Sequence, residues 1–355
     1  MRHYRKLLSP RAFMVLVTLL VVVCVLGICL LPHSRYVQFT SLHDSSVVKT
    51  GWIYERIHFD STPIDVVFIG TSHTVFGVNS IQMEQAYTAA TGQSLHVVNF
   101  GMQHLGRDLA YLLAREVIET RSPRLLVIEV PDDEPRSLHP AFYELATSRE
   151  LLSAPIVINT SYLPDLARLP FRQVSLFARS IEPAWFGVRL AFDPARYRGP
   201  NWDDTYEERG SADYPVLHPV PRLQTRTPAE LEQERAHYER MVDGKLSLPG
   251  FLRPLEHRAN LVYLQRIVDL AQRLGVEVHL LYLPSYQAPA SPRFASFYSR
   301  FGPLWYPEAI YGDASNWLDV NHLNYNGASA LSHWLGNSIA DLMAKDTALV
   351  TARHQ

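Results

Sequence analysis

Residues 65–74 read DVVFIGTSHT, a short apolar run that ends at a glycine. Val, Ile and Phe in an unbroken run, followed directly by Gly70, are typical of a buried strand and the turn that leaves it. The turn carries Ser72, a side chain that can act as a nucleophile once a base activates it. The stretch therefore predicts a first strand with a candidate site at its carboxyl end.

Strands and helices alternate along much of the remaining chain. Helices are predicted over 80–91, 106–120, 255–274 and 326–344, and further strands over 95–100, 124–130 and 276–283. This alternation indicates a parallel sheet with helices on both faces. We therefore expect an α/β fold, a three-layer α/β/α domain with a flavodoxin-like parallel sheet.

The alternation is interrupted between residues 131 and 254, which hold 15 of the 24 prolines. The one clear helix signal there is Thr227-Pro228-Ala229-Glu230, a capping box with proline at the first helical position. We interpret 131–254 as an insertion in an α/β domain over 64–345. Residues 346–355 are expected to form a tail.

The N-terminus carries a membrane signal, since residues 12–31 contain no charge. A helix of that length measures about 30 Å, the thickness of the hydrocarbon core. Basic residues precede it and no acidic residue occurs before Asp44, a bias that places the N-terminus in the cytoplasm. Residues 1–32 are therefore expected to form a cytoplasmic end and a single-pass anchor in the plasma (inner) membrane. A cleaved signal peptide is the alternative.

This orientation would place the main domain in the periplasm or outside the cell, behind a juxtamembrane connector over 33–63. The connector has a possible short element near Trp52. Both cysteines, Cys24 and Cys29, lie within the apolar stretch, so we expect no disulfide and no thiol chemistry in the exported part.

Composition excludes several classes of function. The net charge of −2 over 355 residues argues against nucleic acid as a partner. None of the 15 histidines belongs to an H-x-H or HExxH motif, and no Walker A or G-x-G-x-x-G motif occurs. The sequence therefore predicts no metal site and no cofactor.

Three residues could form a catalytic triad. A serine needs a base that is itself held in orientation, and His322 can be that base, with Asp319 three residues earlier fixing its tautomer. His73, beside the serine, is expected to point to the other side of the turn. The alternative is structural: Ser72 would cap a helix, and Asp319 and His322 would share a loop hydrogen bond before a helix capped by Asn324.

Two stretches, FIGTSH at 68–73 and DVNHLN at 319–324 followed by Gly327, carry a family resemblance. Together they resemble the SGNH (GDSL-like) hydrolase superfamily, and more narrowly its membrane-anchored, extracytoplasmic branch. That branch includes the D-alanyl transfer protein of lipoteichoic acid and the alginate O-acetylation proteins. The resemblance covers about residues 63–130 and 255–345.

The resemblance implies acyl transfer, with acetyl as the expected group, to or from an exported polysaccharide. A membrane-bound O-acyltransferase would be a possible partner that supplies the acyl group. The backbone N–H groups of Ser72, Gly101 and His104 would hold the oxyanion, His104 standing where the family usually has glycine. Asp132 and Asp133 stand where the family has an asparagine, and we expect them to point away.

Two other functions remain open. The first is an esterase that acts on a carbohydrate or lipid, and the second is a non-catalytic assembly or binding subunit that retains the fold. The sequence identifies no substrate-binding residues.

Overall fold

A computed structural model of the protein describes residues 9–42, 47–209, 218–243 and 248–353. At its centre lies a parallel sheet of five strands: β1 (Val66–Ile69), β2 (Val97–Asn99), β3 (Leu125–Val130), β6 (Glu277–Tyr282) and β7 (Leu304–Trp305). The chain is therefore a mixed α/β protein, as expected. β7 was not anticipated, because it is only two residues long.

The strands lie in the order β2-β1-β3-β6-β7. In the register, Phe68 lies beside Asn99 on one side and Val127 on the other. All four residues of β1 and all six of β3 are buried, which explains why both strands are almost wholly apolar. Because the strands are parallel, their carboxyl ends meet at one edge of the sheet.

The α-helices are more numerous than the sequence pattern indicated. In the described residues they are α1 (Pro10–Cys29), α2 (Arg35–Thr40), α3 (Lys49–His58), α4 (Ser72–Gly77), α5 (Ser80–Thr91), α6 (Arg107–Arg121), α7 (Phe142–Leu145), α8 (Ser148–Leu152), α9 (Tyr162–Ile181), α10 (Pro228–Asp243), α11 (Arg258–Arg273), α12 (Ala295–Tyr298), α13 (Glu308–Tyr311) and α14 (Tyr325–Arg353). The four predicted helices of the α/β rhythm correspond to α5, α6, α11 and α14.

Each face of the sheet has its own apolar core. One core joins α6 and α11 to the sheet through side chains such as Leu113 and Ile267. The other joins α5 and α14 through side chains such as Met83 and Leu335. Helices thus cover both faces, which leaves the carboxyl edge of the sheet for loops and a site.

The segment expected to be a connector belongs to the first core. Phe39 of α2 and Trp52, Ile53 and Ile57 of α3 are buried against the main domain. α3 can pack against the main domain because its apolar residues fall on one helical face. The tail prediction also differs from the structure, because α14 continues to Arg353.

The predicted insertion holds more structure than the single helix expected there. It contains α7 to α10 and a two-stranded antiparallel sheet of β4 (Tyr206–Arg209) and β5 (His218–Pro221). The predicted helix at residue 228 is α10, and its capping box is formed by Thr227 and Glu230. Ahead of the main domain, α1 is a helix of 20 residues that is long and apolar enough to cross a membrane.

Candidate active site

Ser72, His322 and Asp319 meet at the carboxyl edge of the sheet. Ser72 Oγ lies 2.8 Å from His322 Nε2, although the two residues are 250 positions apart. His322 Nδ1 lies 2.9 Å from Asp319 Oδ2 and 3.0 Å from Oδ1. The hydrogen bonds expected of a serine nucleophile, its base and an orienting carboxylate are therefore all formed.

A tight loop delivers the base and the carboxylate as one unit. The Leu318 N–H donates to the His322 carbonyl at 2.9 Å, and Trp317 and Leu323 form an isolated antiparallel bridge. The Asp319 carboxylate accepts from the backbone N–H groups of Asn321 and His322 at 2.8 and 3.0 Å. The loop backbone thus holds the Asp319 carboxylate in position independently of its bonds to the His322 ring.

Electrostatics keep Asp319 ionised. Burial alone would raise the pKa of Asp319, but the hydrogen bond and charge of His322, with the two backbone N–H groups, hold the pKa below its ordinary value. An ionised Asp319 accepts the Nδ1 proton of His322. That tautomer leaves the Nε2 lone pair facing the Ser72 hydroxyl, as a general base requires.

Ser72 is not the residue that caps its helix. The N-cap of α4 is Thr71, whose Oγ1 accepts from the His73 N–H at 3.2 Å, and Ser72 is the first helical residue. Likewise, Asn324 Oδ1 accepts from the Gly327 N–H at 3.1 Å, so the final helix is capped without Asp319 or His322. The structural alternative therefore accounts for Asn324 but not for Ser72.

A buried carboxylate from β3 holds the turn that carries Ser72. Glu129 is 1% exposed, and its Oε2 accepts from the backbone N–H groups of Thr71 and Thr74 at 2.7 and 3.1 Å. The two threonine hydroxyls add bonds of 2.6 and 2.5 Å. Four donors thus converge on one carboxylate directly beneath Ser72.

Gly70 is required by this arrangement. A Cβ at position 70 would lie 2.0 Å from Thr74 Oγ1 and 2.3 Å from Glu129 Oε2. Sequence reasoning did not single out Glu129. The available signal was an acidic residue inside the otherwise apolar strand RLLVIEV, since a charge at such a position needs several hydrogen-bond partners.

The three expected oxyanion donors differ in their surroundings. Within the described residues, no hydrogen-bond acceptor faces the Ser72 N–H, which leaves this donor for a ligand. The Gly101 N–H donates to Asn99 Oδ1 at 2.9 Å, so this donor is already in use and its expected oxyanion role is not supported. Gly101 instead lets the second strand end approach α4, because a Cβ there would lie 2.9 Å from Val75 N.

His104 adopts a left-handed backbone with φ of 71°, a conformation that glycine takes without strain. Its exposed ring packs against His139, with centroids 6.0 Å apart. With Gly70 and Thr71 it lines a cavity of about 20 Å³. His104 therefore lies beside the turn that carries Ser72.

Two further expectations concern neighbours of the triad. His73 does not turn away from the site, because its ring lies edge-on to His322 at 5.7 Å while its Nδ1 donates to the Leu283 carbonyl at 2.8 Å. The aspartates after β3 are engaged elsewhere. Asp132 accepts from the Tyr282 hydroxyl, and Asp133 pairs with Arg293 at 2.7 Å.

The insertion supplies one wall beside the loop that carries Asp319 and His322. Leu231 of α10 is fully buried in the same core as Val320, and Arg235 donates to the Gln287 carbonyl at 2.6 Å. These contacts hold α10 over the loop. An open groove of about 440 Å³ remains between them, lined by Gln233, Glu234, His237, Tyr238, Arg240 and Val320.

Comparison with models of protein families gave no match, and comparison with curated proteins gave none either. The chemistry of the site therefore rests on its geometry. A hydroxyl in contact with an oriented imidazole, next to an available backbone N–H, can attack an acyl carbonyl.

Proposed function

We propose that the chain is an SGNH-like acyltransferase that moves an acyl group, expected to be acetyl, to or from an exported polysaccharide. The observation that carries the proposal is the 2.8 Å contact between Ser72 Oγ and His322 Nε2, with Asp319 on the other ring nitrogen. The strand order supports the family resemblance, because it is the flavodoxin-like order 2-1-3-4-5 when the five strands are numbered along the chain.

In the first half-reaction, Ser72 Oγ attacks the carbonyl carbon of the acyl donor as its proton passes to His322 Nε2. Asp319 stabilises the resulting imidazolium. The Ser72 N–H donates to the tetrahedral oxyanion. Collapse breaks the bond to the donor's alcohol oxygen, which takes the proton from His322, and leaves the acyl group esterified to Ser72.

In the second half-reaction, a sugar hydroxyl gives its proton to His322 and attacks the acyl-serine. Collapse returns the proton to Ser72 and releases the acylated sugar. Water in place of the sugar would give hydrolysis. The groove between α10 and Val320 favours a sugar acceptor, because it offers the exposed ring of Tyr238 together with hydrogen-bonding side chains next to the catalytic loop.

The location of the protein is part of the proposal. We take α1 as a single-pass anchor in the plasma (inner) membrane, with residues after it in the periplasm or outside the cell. The anchor would hold the site near a membrane-bound O-acyltransferase, the partner expected to supply acyl groups.

Transfer and hydrolysis can be separated with the purified full chain in detergent and 4-nitrophenyl acetate as donor. Mass spectrometry would follow acetate release and acetylation of a panel of neutral and acidic oligosaccharides. We expect acetylated oligosaccharide with the wild type and none with Ser72→Ala. Release of acetate without acetylation of any oligosaccharide would contradict transfer and favour an esterase.

A further inference from the structure

Helix α9 turns an apolar stripe away from the protein. Leu163, Phe171, Val174 and Ile181 are each exposed, Leu163 by 73% and Phe171 by 78%. Their spacing follows the helical period, with Ala167 completing the stripe between the first two. The stripe extends along about 27 Å of helix, at 1.5 Å per residue.

The opposite face of α9 is partly polar and is buried. Asp165, Arg172 and Gln173 are each at most 8% exposed, beside Leu169 and Leu176. Arg172 donates to the Tyr143 carbonyl. A surface helix of a soluble protein has the reverse arrangement, with its apolar stripe toward the core and its charges in water. The orientation of α9 therefore indicates an apolar environment outside the protein.

The apolar surface continues beyond the helix. Trp185, in the turn after α9, is 81% exposed, and Ile156, before α9, is 66% exposed. Apart from the buried Asp165 and Arg172, residues 155–198 hold five arginines and two acidic residues, whereas the whole chain has a net charge of −2. A tryptophan and arginines around an apolar stripe match the phosphate level of a bilayer, where aromatic rings and guanidinium groups lie.

The stripe lies at the point where the chain would leave the membrane. α1 packs against α9. Gln173 Nε2 donates to the carbonyls of Cys29 and Leu31 at 3.3 and 3.4 Å, and the Ser34 N–H donates to Ser180 Oγ at 2.9 Å. The carboxyl end of α1 is thus fastened along the middle and end of α9. A bilayer spanned by α1 would therefore have its surface at α9.

We propose that the exposed face of α9, with the turn at Trp185, is embedded in the interface of the bilayer that α1 spans. The inference rests on the proposed anchoring by α1 and is independent of the proposed catalysis. With both α1 and α9 engaged, the domain has a fixed orientation on the membrane. The anchor then fixes the orientation of the site relative to the membrane, whereas a single helix followed by a flexible connector would leave that orientation free.

Spin labelling tests this placement in the full chain. Cys24 and Cys29 are replaced by alanine, and a single nitroxide is attached through Phe171→Cys or, separately, Leu163→Cys. The matched control is Ile81→Cys, which replaces an exposed apolar side chain on α5, at the opposite face of the sheet. The chains are reconstituted in vesicles of phosphatidylethanolamine and phosphatidylglycerol, and collision rates with oxygen and with a water-soluble nickel chelate are measured.

We expect labels at 163 and 171 to shift toward oxygen and away from the nickel chelate, relative to the label at 81. Equal nickel accessibility at all three positions would overturn the inference. So would shielding from both reagents with dipolar broadening between labels, which would mean that a second copy covers the face. Vesicle flotation separates the two proposals, because failed anchoring releases the chain, whereas a wrong inference leaves it bound with residue 171 in water.

Discussion

The Glu129 carboxylate and Thr71 are joined by two hydrogen bonds, from the Thr71 N–H to Oε2 at 2.7 Å and from Thr71 Oγ1 to Oε1 at 2.6 Å. Thr71 directly precedes the candidate nucleophile, and Glu129 lies next to the last residue of β3. The register places Ile69 beside Ile128, so Gly70 and Glu129 are level at the strand ends. The position of Ser72 is therefore tied to the interior of the sheet.

Glu129→Gln should lower both stability and the reactivity of Ser72. A glutamine can place its amide oxygen where Oε2 accepts from both backbone N–H groups, but it carries no charge to strengthen these bonds, and its N–H₂ then faces the Thr71 hydroxyl, which now donates to Oε1. We expect the free energy of unfolding to fall by about 2–3 kcal/mol. Denaturant unfolding in detergent, with the rate of phosphonate labelling at Ser72, measures both effects.

The matched control is Glu119→Gln on the exposed surface of α6, where the carboxylate faces Arg115 at 3.8 Å. An exposed ion pair of this kind contributes little to stability, so Glu119→Gln should change the free energy of unfolding by no more than about 0.5 kcal/mol. If both variants behaved alike, the Glu129 network would not hold the turn.

Asp319→Asn should slow phosphonate labelling of Ser72 by a factor of about 10³–10⁴, because the amide favours the wrong tautomer of His322. The lowered pKa of Asp319 keeps it ionised through the neutral range. The wild type therefore keeps this carboxylate from pH 5 to 8, and the difference in labelling rate between wild type and Asp319→Asn should persist across that range. Asp313→Asn, at an exposed turn in the same loop region, is the control and should label at the wild-type rate. An Asp319→Asn chain that labels as fast as wild type would remove Asp319 from the mechanism.

Asp108 should make the protein less stable as pH rises toward neutrality. Burial raises the pKa of Asp108 to about 7, against the opposing hydrogen bonds from the backbone N–H groups of His139 and Leu109. Its ordinary value in an unfolded chain is about 3.9. Between these values the folded state binds the extra proton, so this residue's contribution falls with pH by up to about 1.4 kcal/mol per unit.

Asp108→Asn should remove that slope, since asparagine resembles the protonated carboxyl. Unfolding free energies of wild type and variant at several pH values between 4.5 and 8 give the difference. Asp341→Asn, at an exposed position of α14, serves as the control and should leave the slope in place. A wild-type slope that persists in Asp108→Asn would show that the carboxyl is ionised throughout.

Much of the α/β framework could be predicted from local patterns. Buried strands such as β3 are continuous apolar runs, and helices such as α11 show a clean apolar period, so residue type alone indicates both. The D-x-x-H loop was predictable for the same reason: three residues are enough for Asp319 to reach the His322 ring. These features depend on interactions close in sequence.

Features that depend on distant residues could not be predicted in the same way. Glu129 was not recognised from the sequence, because its four donors come from a turn 55 to 58 positions earlier. α9 was not predicted because Pro170, a residue that usually ends or kinks a helix, lies inside it. Its apolar stripe also faces outward, whereas an amphipathic helix is normally expected to pack that stripe against a protein core. α3 was taken as part of a connector because the core it completes is built from residues far along the chain.

Covalent labelling of Ser72 tests the central claim most directly. The full chain in detergent is treated with a fluorophosphonate, digested and analysed by mass spectrometry, with His322→Ala and Ser72→Ala beside it. We expect one phosphonyl adduct on Ser72 in the wild type, much slower labelling in His322→Ala and no adduct in Ser72→Ala. A folded wild-type chain that leaves Ser72 unmodified would contradict the account and favour a non-catalytic subunit.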